Sequence, residues 1–143
     1  MQARLEYRQG LHFEASTESG HTVDIDGPAQ AGGQNLGPRP MELILLALGS
    51  CSGVDVVLMV QKMRAALDDF SIRLDGQRRE EEPRVYEKIA LEYRLASPDL
   101  TEAQAKRAVH LSIERYCSVS AMLQATVALE IRVFLNDQLL ETF

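Results

Sequence analysis

Several classes of function are disfavoured by what the sequence lacks. It has no excess of positive charge: 15 Lys and Arg residues stand against 21 Asp and Glu residues, a formal net charge of −6. Nucleic acids and anionic membranes select basic surfaces, so we expect neither as a partner. The sequence has no C-x-x-C motif and no closely spaced histidines, and we expect no metal site. It also has no phosphate-binding glycine loop and no G-x-S-x-G serine, and we expect no cofactor.

Long apolar segments are missing as well. The N-terminal stretch MQARLEYRQG is polar and charged, and we expect no signal peptide. The most apolar region is interrupted by Glu42, Asp55 and Lys62, and its uninterrupted apolar run falls short of the roughly 20 residues of a membrane span. We therefore expect a cytoplasmic protein whose two cysteines are free thiols by default.

The hydrophobic pattern predicts one α+β domain covering residues 1–143. Hydrophobic residues make up 45% of the chain, which is ordinary for a globular domain of this length. Apolar and polar residues alternate in six short segments, and each such segment predicts a strand: 4–8, 11–15, 23–25, 70–75, 89–95 and 127–133. The glycine- and proline-rich residues 27–40 predict an irregular loop that either connects the first sheet to the next helix or covers a site.

Two helices complete the predicted order βββ-α-ββ-α-β, for which we expect an antiparallel sheet. The first helix is predicted over Pro40–Arg64, and it is apolar on every side near its start, as expected for a helix enclosed by a core. The second is predicted to start at Thr101, which forms a capping box with Gln104, and to end near Cys117. Its predicted apolar face contains Ala105, Val109, Ser112, Ile113 and Tyr116.

Both cysteines are candidate functional residues. Cys51 lies in the middle of the first predicted helix, between Gly49 and Gly53, and each glycine costs about 1 kcal/mol of helix propensity relative to alanine. That cost suggests that another group must approach the helix backbone closely there. Asp55 follows four residues later on the same helical face, where an unpaired carboxylate would keep the thiol protonated.

Cys117 directly precedes Ser118 and Ser120, either of which could cap a short helix and direct free N–H groups toward the sulfur. Taken singly, each cysteine is more often a small buried apolar residue than a nucleophile, but the pair favours function, because each cysteine lies at a helix feature next to small polar residues. The residues alone leave open whether the two sulfurs meet.

Two motifs resemble those of a known family. The segment PMELILLALGSC followed by SGVDVV is similar to the central-helix signature of the OsmC/Ohr superfamily, the osmotically inducible and organic hydroperoxide resistance proteins. ERYCSVSAML, residues 114–123, resembles the second-cysteine motif of that superfamily. The opening MQAR, the segment RREEEPRVY and the Cys-Ser pattern look most like the YhfA-type subgroup.

The resemblance implies an intertwined homodimer in which sheets from both chains wrap around two long central helices. It implies reduction of organic or inorganic hydroperoxides, with Cys51 as the peroxidatic cysteine, Cys117 as the resolving cysteine and a dithiol as the reductant. It also implies that a glutamate and an arginine activate the thiol, and here Glu42 and Arg39 are the candidates. The family has Pro-Glu at this helix start, whereas Met41 separates the two residues here, a shift that rotates a helical side chain by about 100°.

Two other functions fit the same residues. One is a non-catalytic dimer of the same fold that binds a small apolar ligand at its interface, with incidental cysteines. The other is an acyl-thioester hydrolase, for which Asp55 is the only acid on the central helix placed to activate water.

Overall fold

The computed structural model describes all 143 residues, and the chain divides into two compact units, Met1–Leu46 and Ala47–Phe143. The length and composition indicate that residues 1–143 form a single domain, and this stays a prediction.

The first unit begins with a three-stranded antiparallel meander. Strands β1 (Ala3–Gln9), β2 (His12–Thr17) and β3 (Thr22–Ile25) pair in sequence order, which confirms the three predicted strands. Leu5 and Tyr7 alternate with charged residues on β1, and they are 59% and 62% exposed in the single chain. One apolar face of this sheet is therefore open to solvent.

The predicted irregular loop follows β3, and a buried carboxylate organises it. Asp26 accepts hydrogen bonds from the backbone N–H groups of Gly27 (2.8 Å), Gln34 (2.8 Å) and Leu36 (3.2 Å). Burial acts to raise the pKa of Asp26, but these three bonds outweigh it and lower the pKa. Loop residues that share no regular structure are thus held around one side chain.

Helix α1 spans Pro40–Lys62, two residues shorter at its end than predicted, and the boundary between the two units lies within it. Pro40 occupies the first helical position, where its missing N–H costs no hydrogen bond. Two residues after the end of the helix, Arg64 has a left-handed backbone conformation with a φ of 58°, which turns the chain away from the helix axis. By length and composition α1 could cross a membrane, with a mean hydropathy of 2.3 over 18 residues, a criterion that core helices of soluble proteins also meet.

The second unit is built on a four-stranded sheet in the order β4-β5-β6-β7. Its strands are β4 (Asp69–Arg78), β5 (Tyr86–Ala96), β6 (Ala128–Leu135) and β7 (Gln138–Thr142). The α+β class is confirmed, with two differences from the sequence prediction. The C-terminal segment, for which no strand was predicted, forms a seventh strand, β7. Strands β5 and β6 pair in parallel, because the helices between them form a crossover connection.

The crossover contains three helical segments: α2 (Glu102–Leu111), a π-helical turn (Ser112–Tyr116) and α3 (Ser118–Leu123). The predicted capping box of α2 is confirmed, since Gln104 N–H donates to Thr101 Oγ1 (3.3 Å) and Thr101 N–H donates to Gln104 Oε1 (2.9 Å). The π-helical turn was not predicted. It brings the chain from α2 to Cys117.

The core of the second unit lies between its helices and one face of the sheet. Its fully buried side chains come from alternate positions of β5 and β6 and from one side each of α1 and α2: Leu48, Val56, Val60, Ile89, Leu91, Tyr93, Val109, Ile131 and Val133. The prediction that the start of α1 is enclosed by a core is wrong for the single chain, in which Leu46 is 59% exposed. Val54 is 60% exposed and Leu58 is 47% exposed, because the sheet covers only one side of the helix.

Candidate active site

Cys51 lies in α1 beside a hydrogen-bond chain that links this helix to the sheet. Its thiol is half-buried, and the next residue, Ser52, is fully buried. The Tyr93 hydroxyl donates to Ser52 Oγ (2.7 Å), and Ser52 Oγ donates to the Gly49 carbonyl (3.2 Å). Burial raises the pKa of Tyr93, so its phenol remains a donor. These two hydrogen bonds hold the segment of α1 that carries Cys51 against β5.

The glycines that flank Cys51 make room for the sheet. A Cβ atom on Gly49 would lie 2.8 Å from Leu74 Cδ1, and one on Gly53 would lie 3.0 Å from Ile72 Cδ1. The predicted close approach therefore exists. The groups that approach are two β4 side chains.

Cys117 is placed by the π-helical turn. Its N–H donates to the Ser112 carbonyl five residues earlier (2.8 Å), which closes the turn. The Cys117 sulfur then accepts a hydrogen bond from Ser120 N–H (3.3 Å) and is itself the N-cap of α3. The prediction that Ser118 or Ser120 caps this helix is wrong. The prediction that its free N–H groups face the sulfur is confirmed.

The structure brings the two thiols together. Cys117 is 2% exposed, and its thiol lies close enough to Cys51 for the two thiols to interact. Burial is the main reason that the pKa of Cys117 rises to about 11; the Ser120 N–H partly offsets this effect, and the contact with Cys51 adds to it. Both cysteines are free thiols. At neutral pH the Cys117 thiol is accordingly protonated.

A buried hydroxyl that the sequence analysis did not single out joins the two thiol-bearing segments. Ser112 Oγ lies 3.0 Å from the Ser52 carbonyl oxygen and 3.3 Å from Asp55 Oδ2, and these two acceptors share its single hydroxyl proton. The Asp55 carboxylate is thus partnered rather than unpaired. The one signal in the sequence was a serine on the apolar face of the second predicted helix, among Val109 and Ile113, where a buried hydroxyl must find a partner.

Arg39 and Glu42 belong to the first unit, where they form the start of α1. The Glu42 carboxylate accepts a hydrogen bond from the Arg39 backbone N–H (2.8 Å) and completes one half of a capping box. Their part in activating Cys51 stays a prediction.

His12 and His110 are engaged by carboxylates. His12 Nε2 lies 2.7 Å from Asp24 Oδ1 in the first unit. His110 contacts Glu114 and Glu141 through its two ring nitrogens and is therefore not free to act as a base toward Cys117. No group of three or more His, Cys, Asp or Glu residues is arranged to hold a metal ion.

This arrangement has the parts of a dithiol redox centre. The half-buried Cys51 is the thiol that an external oxidant can reach, and the buried Cys117 lies against it. An oxidised Cys51 sulfur would be attacked by Cys117 to form a disulfide within one chain.

Comparisons with known proteins agree with the motifs and the fold. Residues 32–132 match the family described as OsmC-like protein. Protein YhfA of Escherichia coli is 42% identical over 127 residues, which cover 89% of this chain and 92% of YhfA. A hypothetical protein from Aquifex aeolicus is 36% identical, with a TM-score of 0.78 and 91% of each chain covered.

A more distant similarity concerns the fold alone. A putative organic hydroperoxide resistance protein from Vibrio cholerae, solved with captopril bound in one of its active sites, has a TM-score of 0.69 at 16% identity. The similarity covers 97% of this chain and 94% of that one.

Proposed function

Since this chain belongs to the family of OsmC-like proteins, we propose that it is a thiol-dependent peroxidase that reduces organic or inorganic hydroperoxides. The observation that carries the proposal is the proximity of a half-buried thiol, Cys51, and a buried thiol, Cys117. The Vibrio cholerae protein of the same fold, named for organic hydroperoxide resistance, supports the choice of oxidant.

The proposed cycle uses the two thiols in sequence. The Cys51 sulfur, as thiolate, attacks one peroxide oxygen; the O–O bond breaks, the alcohol leaves with the thiol's proton, and Cys51 becomes a sulfenic acid. The Cys117 sulfur then attacks the Cys51 sulfur; the disulfide forms, and the hydroxyl leaves as water with the proton from Cys117. An external dithiol reduces the disulfide back to two thiols. Glu42 and Arg39 are the proposed activating residues of the first step.

We propose a cytoplasmic homodimer as the working form. Its support is apolar surface that each unit exposes in the single chain: Leu5 and Tyr7 on the first sheet, and Val54 and Leu58 on α1. Contiguous exposed apolar surface of this kind marks interaction sites. Reduction of hydroperoxides in the cytoplasm fits two thiols that stay reduced between turnovers.

The test is a reaction of the reduced protein with one equivalent of cumene hydroperoxide, followed by intact mass and thiol counting. We expect the wild-type protein to lose two hydrogens and both thiols. We expect Cys117→Ser to gain one oxygen, which dimedone traps as a sulfenic acid, and Cys51→Ser to react no faster than free cysteine. Wild-type thiols that survive peroxide as long as free cysteine would contradict the proposal.

A second candidate function, binding of a small apolar ligand without catalysis, is favoured by one observation. A groove of about 580 Å³ lies between α1 and α2, lined mainly by Leu58, Met59, Met63, Leu111 and Tyr116. If the thiols prove inert, an apolar fluorescent probe that binds the wild-type protein and is released by Leu111→Glu would favour this function.

A further inference from the structure

We propose that Ser112 is a positioning residue for disulfide formation between Cys51 and Cys117, holding the buried thiol against the helix that carries the accessible one. The proposal rests on the function proposed above, because positioning matters only if the two sulfurs react. Its evidence is a set of contacts made by this one residue.

Ser112 contacts both thiol-bearing segments at once. Its hydroxyl donates to the carbonyl of Ser52, the residue that follows Cys51, at 3.0 Å. Its carbonyl accepts the N–H of Cys117 at 2.8 Å. One fully buried residue therefore links the backbone beside one sulfur to the backbone of the other.

Asp55 adds a second attachment on α1. Its carboxylate lies 3.3 Å from the same Ser112 hydroxyl, one helical turn beyond Cys51. Asp55, Cys51 and Cys117 all lie near enough to the Tyr93 hydroxyl to act on it electrostatically. The carboxylate thus belongs to the surroundings of the thiols, and we assign it a role that acts through Ser112.

The π-helical turn explains why such a link is needed. A π-helical turn is less favourable than a continued α-helix and is commonly retained at functional sites. Here it ends at Cys117, whose sulfur must come within about 2.05 Å of Cys51 with a restricted dihedral angle. Without the Ser112 hydroxyl, this turn would lose its hydrogen bonds to the Ser52 carbonyl and the Asp55 carboxylate on α1, and the two sulfurs would meet less often in a reactive geometry.

The experiment compares Ser112→Ala with a matched control, Ser97→Ala. Ser97 is also a buried serine, and its hydroxyl also contacts a backbone carbonyl (Ala66, 2.6 Å) and a carboxylate (Asp99, 3.2 Å), but it does not contact the segments that carry Cys51 and Cys117. Each protein is equilibrated with mixtures of reduced and oxidised glutathione, and the fraction with a Cys51–Cys117 disulfide is measured by intact mass after acid quenching.

We expect Ser112→Ala to lower the equilibrium constant for disulfide formation about tenfold, which corresponds to a rise of about 30 mV in reduction potential. Ser97→Ala should stay within twofold of the wild-type constant even where it lowers thermal stability as much. In single turnovers with cumene hydroperoxide, Ser112→Ala should form the Cys51 sulfenic acid at the wild-type rate and convert it to disulfide about tenfold more slowly. Ser112→Thr, which keeps the hydroxyl, should recover most of the loss.

A wild-type equilibrium constant in folded Ser112→Ala would overturn the proposal, as would an equal loss in Ser97→Ala. If Ser112→Ala does not fold, Asp55→Ala decides instead: removing the second acceptor should lower the constant about threefold, and an unchanged constant would overturn the proposal. The glutathione measurement uses no peroxide. A chain inert toward hydroperoxides would contradict the proposed function and still test the role of Ser112.

Discussion

At the scale of single residues, the Cys117 sulfur has two roles that depend on its protonation state. It is the acceptor that caps α3, and in the proposed cycle it is the nucleophile that resolves the sulfenic acid. A neutral thiol is a weak acceptor, whereas a thiolate accepts strongly. The Ser120 N–H therefore favours the thiolate that the reaction needs. Burial has the larger, opposite effect, and the pKa of Cys117 is about 11 as a result.

This pKa predicts how the reactivity of Cys117 changes with pH. In Cys51→Ser, where Cys117 is the only thiol, alkylation by iodoacetamide should accelerate about tenfold per pH unit between pH 7 and 9. It should stay slower than alkylation of the urea-unfolded variant, whose thiol has an ordinary pKa. Measured rates from pH 7 to 10 in both states test this expectation. A rate that levels off below pH 8.5 would show that the pKa is not raised.

The same pKa affects stability at alkaline pH. Because the pKa of Cys117 is higher in the folded state, its protonated thiol contributes to the stability of the fold. This contribution is fully present below the pKa of the thiol in the unfolded chain, which is near 9. It is lost as the pH rises through the folded-state value of about 11. Cys117 therefore works against folding only above pH 9, outside the range in which the proposed reaction would run.

At the scale of elements, the sequence predicted those features that local periodicity or capping determines. The start of α1, the capping box of α2 and the alternation of β4, β5 and β6 all depend on residues close in sequence, and all are confirmed. The π-helical turn was missed because it breaks the 3.6-residue period without any glycine or proline to signal it. Tyr116, predicted on the apolar face of the second helix, is 51% exposed, since a five-residue turn rotates it away from Ile113.

The thiol site shows the same limit. Cys51 and Cys117 were predictable as a pair from the motifs around them, but their contact was not, because it depends on a long-range packing of α1 against the π-helical turn. The position of Ser112 on a predicted apolar face indicated a buried hydroxyl, but its partner Asp55 could not be predicted, because it lies on another helix. The β-branched and aliphatic side chains that require Gly49 and Gly53 lie on β4, more than fifteen residues away in the chain.

A contact between α2 and β7 gives a pH-dependent prediction at this scale. The His110 ring stacks on Phe143 with centroids 3.8 Å apart, and its nitrogens lie 2.9 Å from Glu114 and 3.1 Å from Glu141. Burial acts to lower the pKa of His110, but the hydrogen bonds to the two carboxylates outweigh it and raise the pKa. The protonated His110 ring therefore stabilises the folded state. This contribution is fully present below the unfolded pKa of about 6.5, and it is lost as the pH rises through the folded-state pKa.

His110→Gln should lower the free energy of unfolding at pH 6 by roughly 0.5–1 kcal/mol, a size set by the partial solvent exposure of these ion pairs. It should change that free energy less at pH 8.5 than at pH 6, because the contribution of the protonated ring is lost as the pH rises. Urea unfolding at both pH values measures the difference, with His21→Gln, at an exposed turn, as the control. An effect that is equal at both pH values would attribute the contribution of His110 to stacking alone.

At the scale of the whole molecule, apolar residues remain exposed in both units of the single chain. On α1, Val54 and Leu58 lie four residues apart on the side that faces away from the sheet, and the adjoining groove of about 490 Å³ is lined mostly by apolar side chains. The high hydrophobicity of α1 on every side was correctly recognised in the sequence. The sheet covers only one side of α1, and a second chain is the simplest cover for the other side.

Val54→Glu tests whether this side of α1 is the dimer contact. Val54 is 60% exposed in the single chain, so the charge should be tolerated by a folded monomer, whereas two glutamates brought together in an apolar interface would oppose association. We expect sedimentation velocity to give twice the chain mass for the wild-type protein and the chain mass for Val54→Glu at tens of micromolar. Val85→Glu, at a residue that is 43% exposed in the turn before β5, should remain dimeric.

The same variant separates association from the thiol chemistry. Cys51 and Cys117 lie close together within one chain, and the hydrogen bond from Ser112 to the Ser52 carbonyl is formed within that chain as well. Monomeric Val54→Glu should therefore keep its Cys51–Cys117 equilibrium with glutathione within about threefold of the wild-type value. A much larger fall would mean that the partner chain helps to hold the two sulfurs together, and a dimeric Val54→Glu would move the interface elsewhere on the molecule.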